Sequence, residues 1–300
     1  MSGAGWRPAR RRDAFPEAER LAQAASSVSG LEGRLSCAKS AADPSSPRLT
    51  ILDSYLLFEI AVVALCLTAG GILKGATGAG APILAVPALA ALFDVRFAVV
   101  VMLMPNLLTN VWQAWRFRAH LPERSFILPL VTGGACGILL GTFALKAFAS
   151  DQLSLLVAAA VLGYVGLRLA RPHWVLAMPM AKLLAFPAGI MAGILQGAAG
   201  LSAPVSITFL NAMQLGRERF IVSISSLFAT FTAVQVTAIH WNGLIRPGEI
   251  WYSLFALLPV SLAMPVGAWV AKRVDARSLD RLILVILLLL ALKLGYDALT

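Results

Sequence analysis

From Ser54 to Leu299 the chain is a succession of long apolar runs, parted by short breaks that carry charge, proline or glycine. About 20 mainly apolar residues make a helix that can cross the hydrocarbon of a bilayer. In that solvent each backbone N–H and C=O must be bonded inside the protein, and a helix does this within its own segment. Only 13% of the 300 residues are charged and 59% are hydrophobic, whereas a soluble domain carries roughly a quarter charged residues. The expected fold class is therefore an all-α polytopic membrane protein, with the lipid bilayer as its main partner. The net charge of +10 does not point to nucleic acid, because much of it lies in the first fifty residues and the rest punctuates apolar runs. Phosphate-bearing headgroups account for it better. Cys37, Cys66 and Cys136 are unclustered, with no C-x-x-C and no paired histidine spacing, so neither a metal site, a cofactor nor a disulfide framework is expected.

Residues 1–50 read differently. They are rich in Ala, Ser, Arg and Pro, and lack the apolar core and small-residue cleavage site of a secretory signal. They are expected to form a disordered basic tail ahead of a transmembrane domain over residues 51–300.

That domain repeats itself. "GILKGATGAGAPI" from Gly71 is answered by "GILQGAAGLSAPV" from Gly193, with eight of thirteen positions identical. "DVRFAVV" from Asp94 is answered by "RERFIVS" from Arg217, and Gly141, Lys146 and Leu153 face Gly267, Lys272 and Leu279 at a constant offset. The spacing predicts two homologous halves, about 54–171 and 178–298. The runs of the first lie near 54–73, 81–93, 97–115, 125–147 and 152–170; those of the second lie near 180–197, 203–215, 219–240, 250–271 and 279–297. Five runs per half give eight to ten crossings.

The second run of each half is short, about 20 Å of helix against a hydrocarbon core of about 30 Å. Each is expected to be a half-helix entered through a glycine turn, with Pro82 or Pro204 in its opening turn and Ser202 placed to cap the second. Paired broken helices in two repeated halves are the usual pointer to a transporter's central site. If all ten runs cross, the halves are inverted and most basic residues share one side; if the half-helices only dip, eight crossings remain and the halves run parallel. The basic bias favours inversion.

No catalytic constellation is present, and the chain is not expected to be an enzyme. Lys74 precedes Gly75, Gly78 and Gly80 where a phosphate-loop lysine follows its glycines. His120, His173 and His240 sit at run ends; Asp and Glu are practically absent from the runs, and Glu59, near the start of the first, is a candidate whose competing reading is snorkelling at the segment edge. What remains is backbone and neutral polarity. Asn106, Asn110 and Gln113 share one helix face beside Thr109, and Ser223, Ser226, Thr230, Thr232 and Gln235 follow the second turn. Such side chains serve equally as interhelical glue. Lys74 combines a cation with a half-helix N-terminus, which suits an anion; the competing reading is a lysine snorkelling at the end of the first run. The candidate substrate-binding residues are Lys74, Thr77, Gly78, Gly80, Asn106, Asn110, Gly200 and Ser202. The glycines of 71/75, 193/197 and 133/137/141 have the spacing that lets helices pack closely.

With "GATGAGAPILAVPAL" and "GAAGLSAPVSITFL" in a duplicated plan, the chain resembles the sulfite exporter TauE/SafE family over about 240 residues. The resemblance implies a multi-pass inner-membrane protein that moves sulfite, sulfonates or other small organic anions. The second turn departs from the family's glycine cluster, reading Gly200-Leu201-Ser202. The expected function is anion transport by alternating access between two repeats, with a homo-oligomer compatible with it; the alternative is an accessory membrane protein whose repeats merely pack.

Overall fold

In a computed structural model of the chain, residues 47–170, 175–273 and 276–299 are described. The expected tail lies outside them up to residue 46, as do His173 and Cys37. The described residues form ten α-helices and a single 3₁₀ turn. The chain divides within the first helix into two units, Met1–Ile60 and Ala61–Thr300, and the second carries both glycine turns and every later helix.

The helices are α1 (Pro47–Thr77), α2 (Ala81–Leu92), α3 (Val95–Arg116), α4 (Arg124–Ala147), α5 (Ser150–Ala170), α6 (Met178–Ala199), α7 (Ala203–Ala212), α8 (Arg217–Trp241), α9 (Glu249–Val270) and α10 (Ala276–Asp297). Among the described residues seven are long and apolar enough to cross a membrane: α1 from Leu57, α3, α4, α5, α6, α8 and α9. This is a multi-pass membrane protein. At 12 and 10 residues, α2 and α7 reach about 18 and 15 Å at the helical rise, too short to cross.

The short helices fold back rather than continue. An added Cβ on Gly70 would stand 3.0 Å from Ala81 O and 3.2 Å from Ala85 Cβ, so α2 returns antiparallel along α1. The other end of α2 is tied to α10, whose Lys293 Nζ donates to Ala91 O at 3.1 Å. Likewise Leu176 N, just ahead of α6, donates to Ala212 O at the end of α7 at 2.7 Å. Each hairpin thus enters and leaves at one end of the bundle.

Polar contacts fix which helix ends meet. Arg96, at the start of α3, donates to Leu145 O and Phe148 O at the end of α4. At the opposite end Lys182 of α6 pairs with Glu123 at 2.7 Å, and His120 pairs with Glu218 of α8 at 2.8 Å. Arg116, Arg118, Arg124, Lys182, Arg217 and Arg219 therefore share one end, the basic end, while Arg96 and Lys146 lie at the other.

Glycine sets the closest approaches. A Cβ on Gly133, Gly137 or Gly141 of α4 would meet the carbonyl oxygens of Phe186, Ile190 and Ile194 of α6 at 2.2–2.3 Å. A Cβ on Gly189, Gly193 or Gly197 would meet Leu130 O, Gly134 O and Ile138 O at 2.1–2.4 Å. The order shows that α4 and α6 run parallel, backbone against backbone. The same close approach joins α1 to α9: Gly71 faces Val260 O, Gly75 faces Met264 O and Gly267 faces Ile72 O, at 1.9–2.4 Å from the added Cβ. The packing expected of these glycines is present. The outer surface carries exposed Leu183, Leu262 and Leu289, as a lipid-facing surface requires. Exposed Trp112, Trp115 and Trp269 stand toward the basic end, and Trp241, Trp251 and Tyr252 toward the other, the aromatic belts of two membrane interfaces.

Candidate functional site

The first glycine turn is built by α1 ending on a left-handed residue. Gly78, at φ +86, donates its N–H to Lys74 O at 2.7 Å, and L side chains seldom adopt that φ. Thr77 Oγ1 donates back to Leu73 O at 2.9 Å and accepts from Ala79 N at 3.3 Å. Thr77 is exposed and bonded to its own turn. No side chain caps Gly80 at the start of α2, which leaves the first-turn amides as orphan donors. Gly80 is required by space, since a Cβ there would lie 2.2 Å from Leu73 Cγ.

Lys74 does not snorkel. It is completely buried, and among the described residues its ammonium pairs with no carboxylate. Its hydrogen bond runs to Asn110 Oδ1 at 2.6 Å, which uses one of three donors. The order of the amides follows from the 106/110 spacing on one face of α3. Asn110 Nδ2 donates to Asn106 Oδ1 and Asn106 O, both at 2.6 Å. Asn106 Nδ2 donates to Thr232 Oγ1 at 2.8 Å, and that hydroxyl donates to Phe228 O. Both amides thus aim their oxygens back toward the cation, a polarised chain that stabilises charge at its head.

The second turn repeats the backbone but not the chemistry. Gly200, at φ +65, donates to Gln196 O at 2.7 Å. Gln196 stands where Lys74 stands in the first turn. Its Oε1 accepts from Ser202 Oγ at 2.7 Å and Ser202 N at 3.2 Å, its Nε2 donates to Gln235 Oε1 at 2.8 Å, and Gln235 Nε2 returns to Gln196 O at 2.6 Å. The expected N-cap is absent: the Ser202 hydroxyl makes no cap to α7, because Gln196 offers it a buried amide oxygen. This turn is neutral and closed on itself.

The two networks converge on α8, where Thr232 and Gln235 are three residues and about one helical turn apart. Each turn also rests on the long helix that follows the other: a Cβ on Gly78 would stand 2.9 Å from Ile221 Cγ1, and one on Gly200 would stand 3.2 Å from Val99 Cγ2. The structure thus joins Lys74, Asn106 and Asn110 around one turn and sets Gly200 and Ser202 in a second cluster.

A cavity of about 890 Å³ leads from the basic end to the first turn. Its inner wall is Gly75, Gly78, Thr109, Gln113 and Ile221; Arg116, Arg217 and Glu218 stand at its mouth. Lys74 and Asn110 do not line it; they are the sequence neighbours of Gly75 and Thr109, which do. The sequence model of the sulfite exporter TauE/SafE family matches residues 62–294. The chain belongs to that family. No curated protein and no solved structure matches it. As a TauE/SafE protein it is a membrane transporter of the sulfur-anion class.

In this TauE/SafE chain several polar contacts were not visible from spacing. Ser225 Oγ donates to Gln113 Oε1 at 3.3 Å, and Ser253 Oγ accepts from Met104 N in the middle of α3 at 2.9 Å. Among the described residues Ser223 and Thr230 bond to carbonyls one turn back in α8. Arg116 and Arg217, topology signals in the sequence, stand at the mouth of a cavity. Beyond the spanning segments, the Lys182 ammonium bonded to Glu123 holds that carboxyl below its ordinary range, with the Ser125 hydroxyl adding to the effect.

Proposed function

We propose that this chain is a secondary transporter that carries sulfite or a sulfonate across the inner membrane by alternating access between two inverted repeats. The observation that carries it is Lys74: a fully buried lysine, bonded to one neutral amide, next in sequence to Gly75, which lines a cavity with arginines at its mouth. A buried cation without a counter-ion costs several kcal/mol, and an anionic substrate supplies that counter-ion. The cavity also favours transport over an accessory role, which requires Gly75 and Gly78 to face protein alone.

Support for the inverted pair comes from matched contacts. The offset of 122 residues that maps Gly71, Ile72 and Gly75 onto Gly193, Ile194 and Gly197, and that of 126 that maps Gly134, Ile138 and Gly141 onto Val260, Met264 and Gly267, turn one set of α1–α9 contacts into the α4–α6 set. In this reading the cavity is the form open to the basic end, and rocking of one half exposes Lys74 to one side and then the other.

The test is radiolabelled sulfite flux in proteoliposomes. Wild type is expected to exceed empty liposomes, Lys74→Gln to lose most of that flux, and Gly80→Leu to lose it by driving a side chain into Leu73. Flux that survives both substitutions removes the site; absence of any small-anion flux returns the chain to an accessory role.

A further inference from the structure

The walls of the cavity have counterparts elsewhere in the bundle. An offset of 122 residues carries the buried positions 103, 105, 106, 109, 110 and 113 of α3 onto 225, 227, 228, 231, 232 and 235 of α8, all buried as well. The same offset turns the contact of Gly78 with Ile221 into that of Gly200 with Val99. With the offset of 126 between α4 and α9, the cavity-lining Gly75, Gly78, Ile221, Met264 and Ala268 fall on Gly197, Gly200, Val99, Ile138 and Thr142. The first turn ends α1, which runs beside α9 toward the basic end; the second ends α6, which runs from Lys182 at the basic end toward the other. A path along the second set would therefore open at the far end.

Aromatic rings fill this second set. Where α3 carries Asn106 and Thr109, α8 carries Phe228 and Phe231, both buried. The Phe231 ring lies against Gly134 of α4: an added Cβ there would stand 1.8 Å from Cε1 and 2.0 Å from Cζ, and its three nearest atoms all belong to that ring. The counterpart of Gly134 is Val260, so the gap that seats the ring belongs to the far-end set alone. Thr142 marks the path that is shut. Its hydroxyl is buried with no hydrogen-bond partner among the described residues, an arrangement that costs free energy in a closed interior, whereas its counterpart Ala268 borders the cavity. The far end is also fastened. Arg96 ties the start of α3 to Leu145 O and Phe148 O of α4, while its counterpart Glu218 pairs with His120.

We infer that Phe231 is the gate of the transport path at the far end: its ring, seated on Gly134, closes the passage in this form, and its withdrawal opens a second cavity lined by Thr142. This rests on the transport reading above and names the residue that seals the path opposite the basic end.

Single cysteines in the full chain lacking Cys37, Cys66 and Cys136 test it, with an impermeant maleimide applied to right-side-out and inside-out vesicles and Lys146→Cys and Arg118→Cys marking the two faces. Thr142→Cys is expected to react from the far face about tenfold faster with Phe231→Ala than with the ring in place, because the closed form loses its filling. Gly134→Ala displaces the ring without removing it and is expected to act in the same direction. Phe231→Leu, which keeps an apolar side chain there, is read beside them so that loss of the fold is told from loss of the ring. Since the two ends open in turn, Ala268→Cys is expected to react more slowly from the basic face in the same variants. Faster reaction at both cysteines means that the ring merely packs the bundle, and overturns the gate. Unchanged reaction of Thr142→Cys in every variant, with sulfite flux intact, overturns it as well. No sulfite flux of the wild type above empty liposomes removes the transport reading itself, and the gate falls with it.

Discussion

Gly78 and Gly200 hold the left-handed turns at +86 and +65, and the two positions differ in how little room surrounds them. An L residue in that region costs about 1–2 kcal/mol, and at Gly78 the new Cβ also meets Ile221 at 2.9 Å. Gly78→Ala is therefore expected to lower the melting temperature in detergent by more than Gly216→Ala, where nothing lies within 4 Å and φ is negative. Equal melting of the two variants would contradict the strain argument. At this scale the sequence revealed which residues to watch but not what they bond. Lys74 beside glycines and the 106/110 face were legible from spacing. That Ser202 gives its hydroxyl to Gln196 rather than to α7 was not, because the choice depends on Gln235 reaching over from a helix 39 residues away.

Among the elements, glycines of the same type have opposite expected effects. In α4 and α6 they let the two backbones touch, so Gly193→Ala puts a methyl 2.1 Å from Gly134 O and has to push two helices apart. That overpacking costs about 1–3 kcal/mol, and a lower folded yield in size-exclusion chromatography is expected. Gly163 in α5 has nothing within 4 Å, so Gly163→Ala is expected to be neutral or to stabilise by up to about 1 kcal/mol. A loss of folded protein with Gly163→Ala alone would reverse the assignment. Helix extents were legible because apolar runs report them directly: 81–93 became Ala81–Leu92, and 219–240 became Arg217–Trp241. Partners were not legible. The glycine stripes at 71/75 and 193/197 are alike in spacing, and only the assembled bundle pairs the first with α9 and the second with α4. The return of α2 toward its starting end was equally hidden, since length excludes a crossing without giving a direction.

For the whole molecule, the distribution of charge supplies an orientation. Arg116, Arg118, Arg124, Lys182, Arg217 and Arg219 gather where α3 ends and α4, α6 and α8 begin; Lys272 and Arg273 follow the end of α9, which lines the same cavity through Met264 and Ala268. Arg96 and Lys146 stand at the far end with Arg246, which precedes α9. The positive-inside rule predicts the crowded end, and with it the arginine-flanked cavity, on the cytoplasmic side. The route through two hairpins preserves this partition because each hairpin starts and finishes at its own end, leaving three long helices after it in either half. Single cysteines placed on a background lacking Cys37, Cys66 and Cys136 read the arrangement out. Arg118→Cys and Lys272→Cys are expected to react with an impermeant maleimide only when the cytoplasmic face is opened, and Lys146→Cys and Arg246→Cys from outside in intact cells. Reaction of the first pair from opposite faces breaks the bundle topology itself. Reaction of both from outside leaves the topology intact but reverses the orientation, and the cavity then opens toward the exterior.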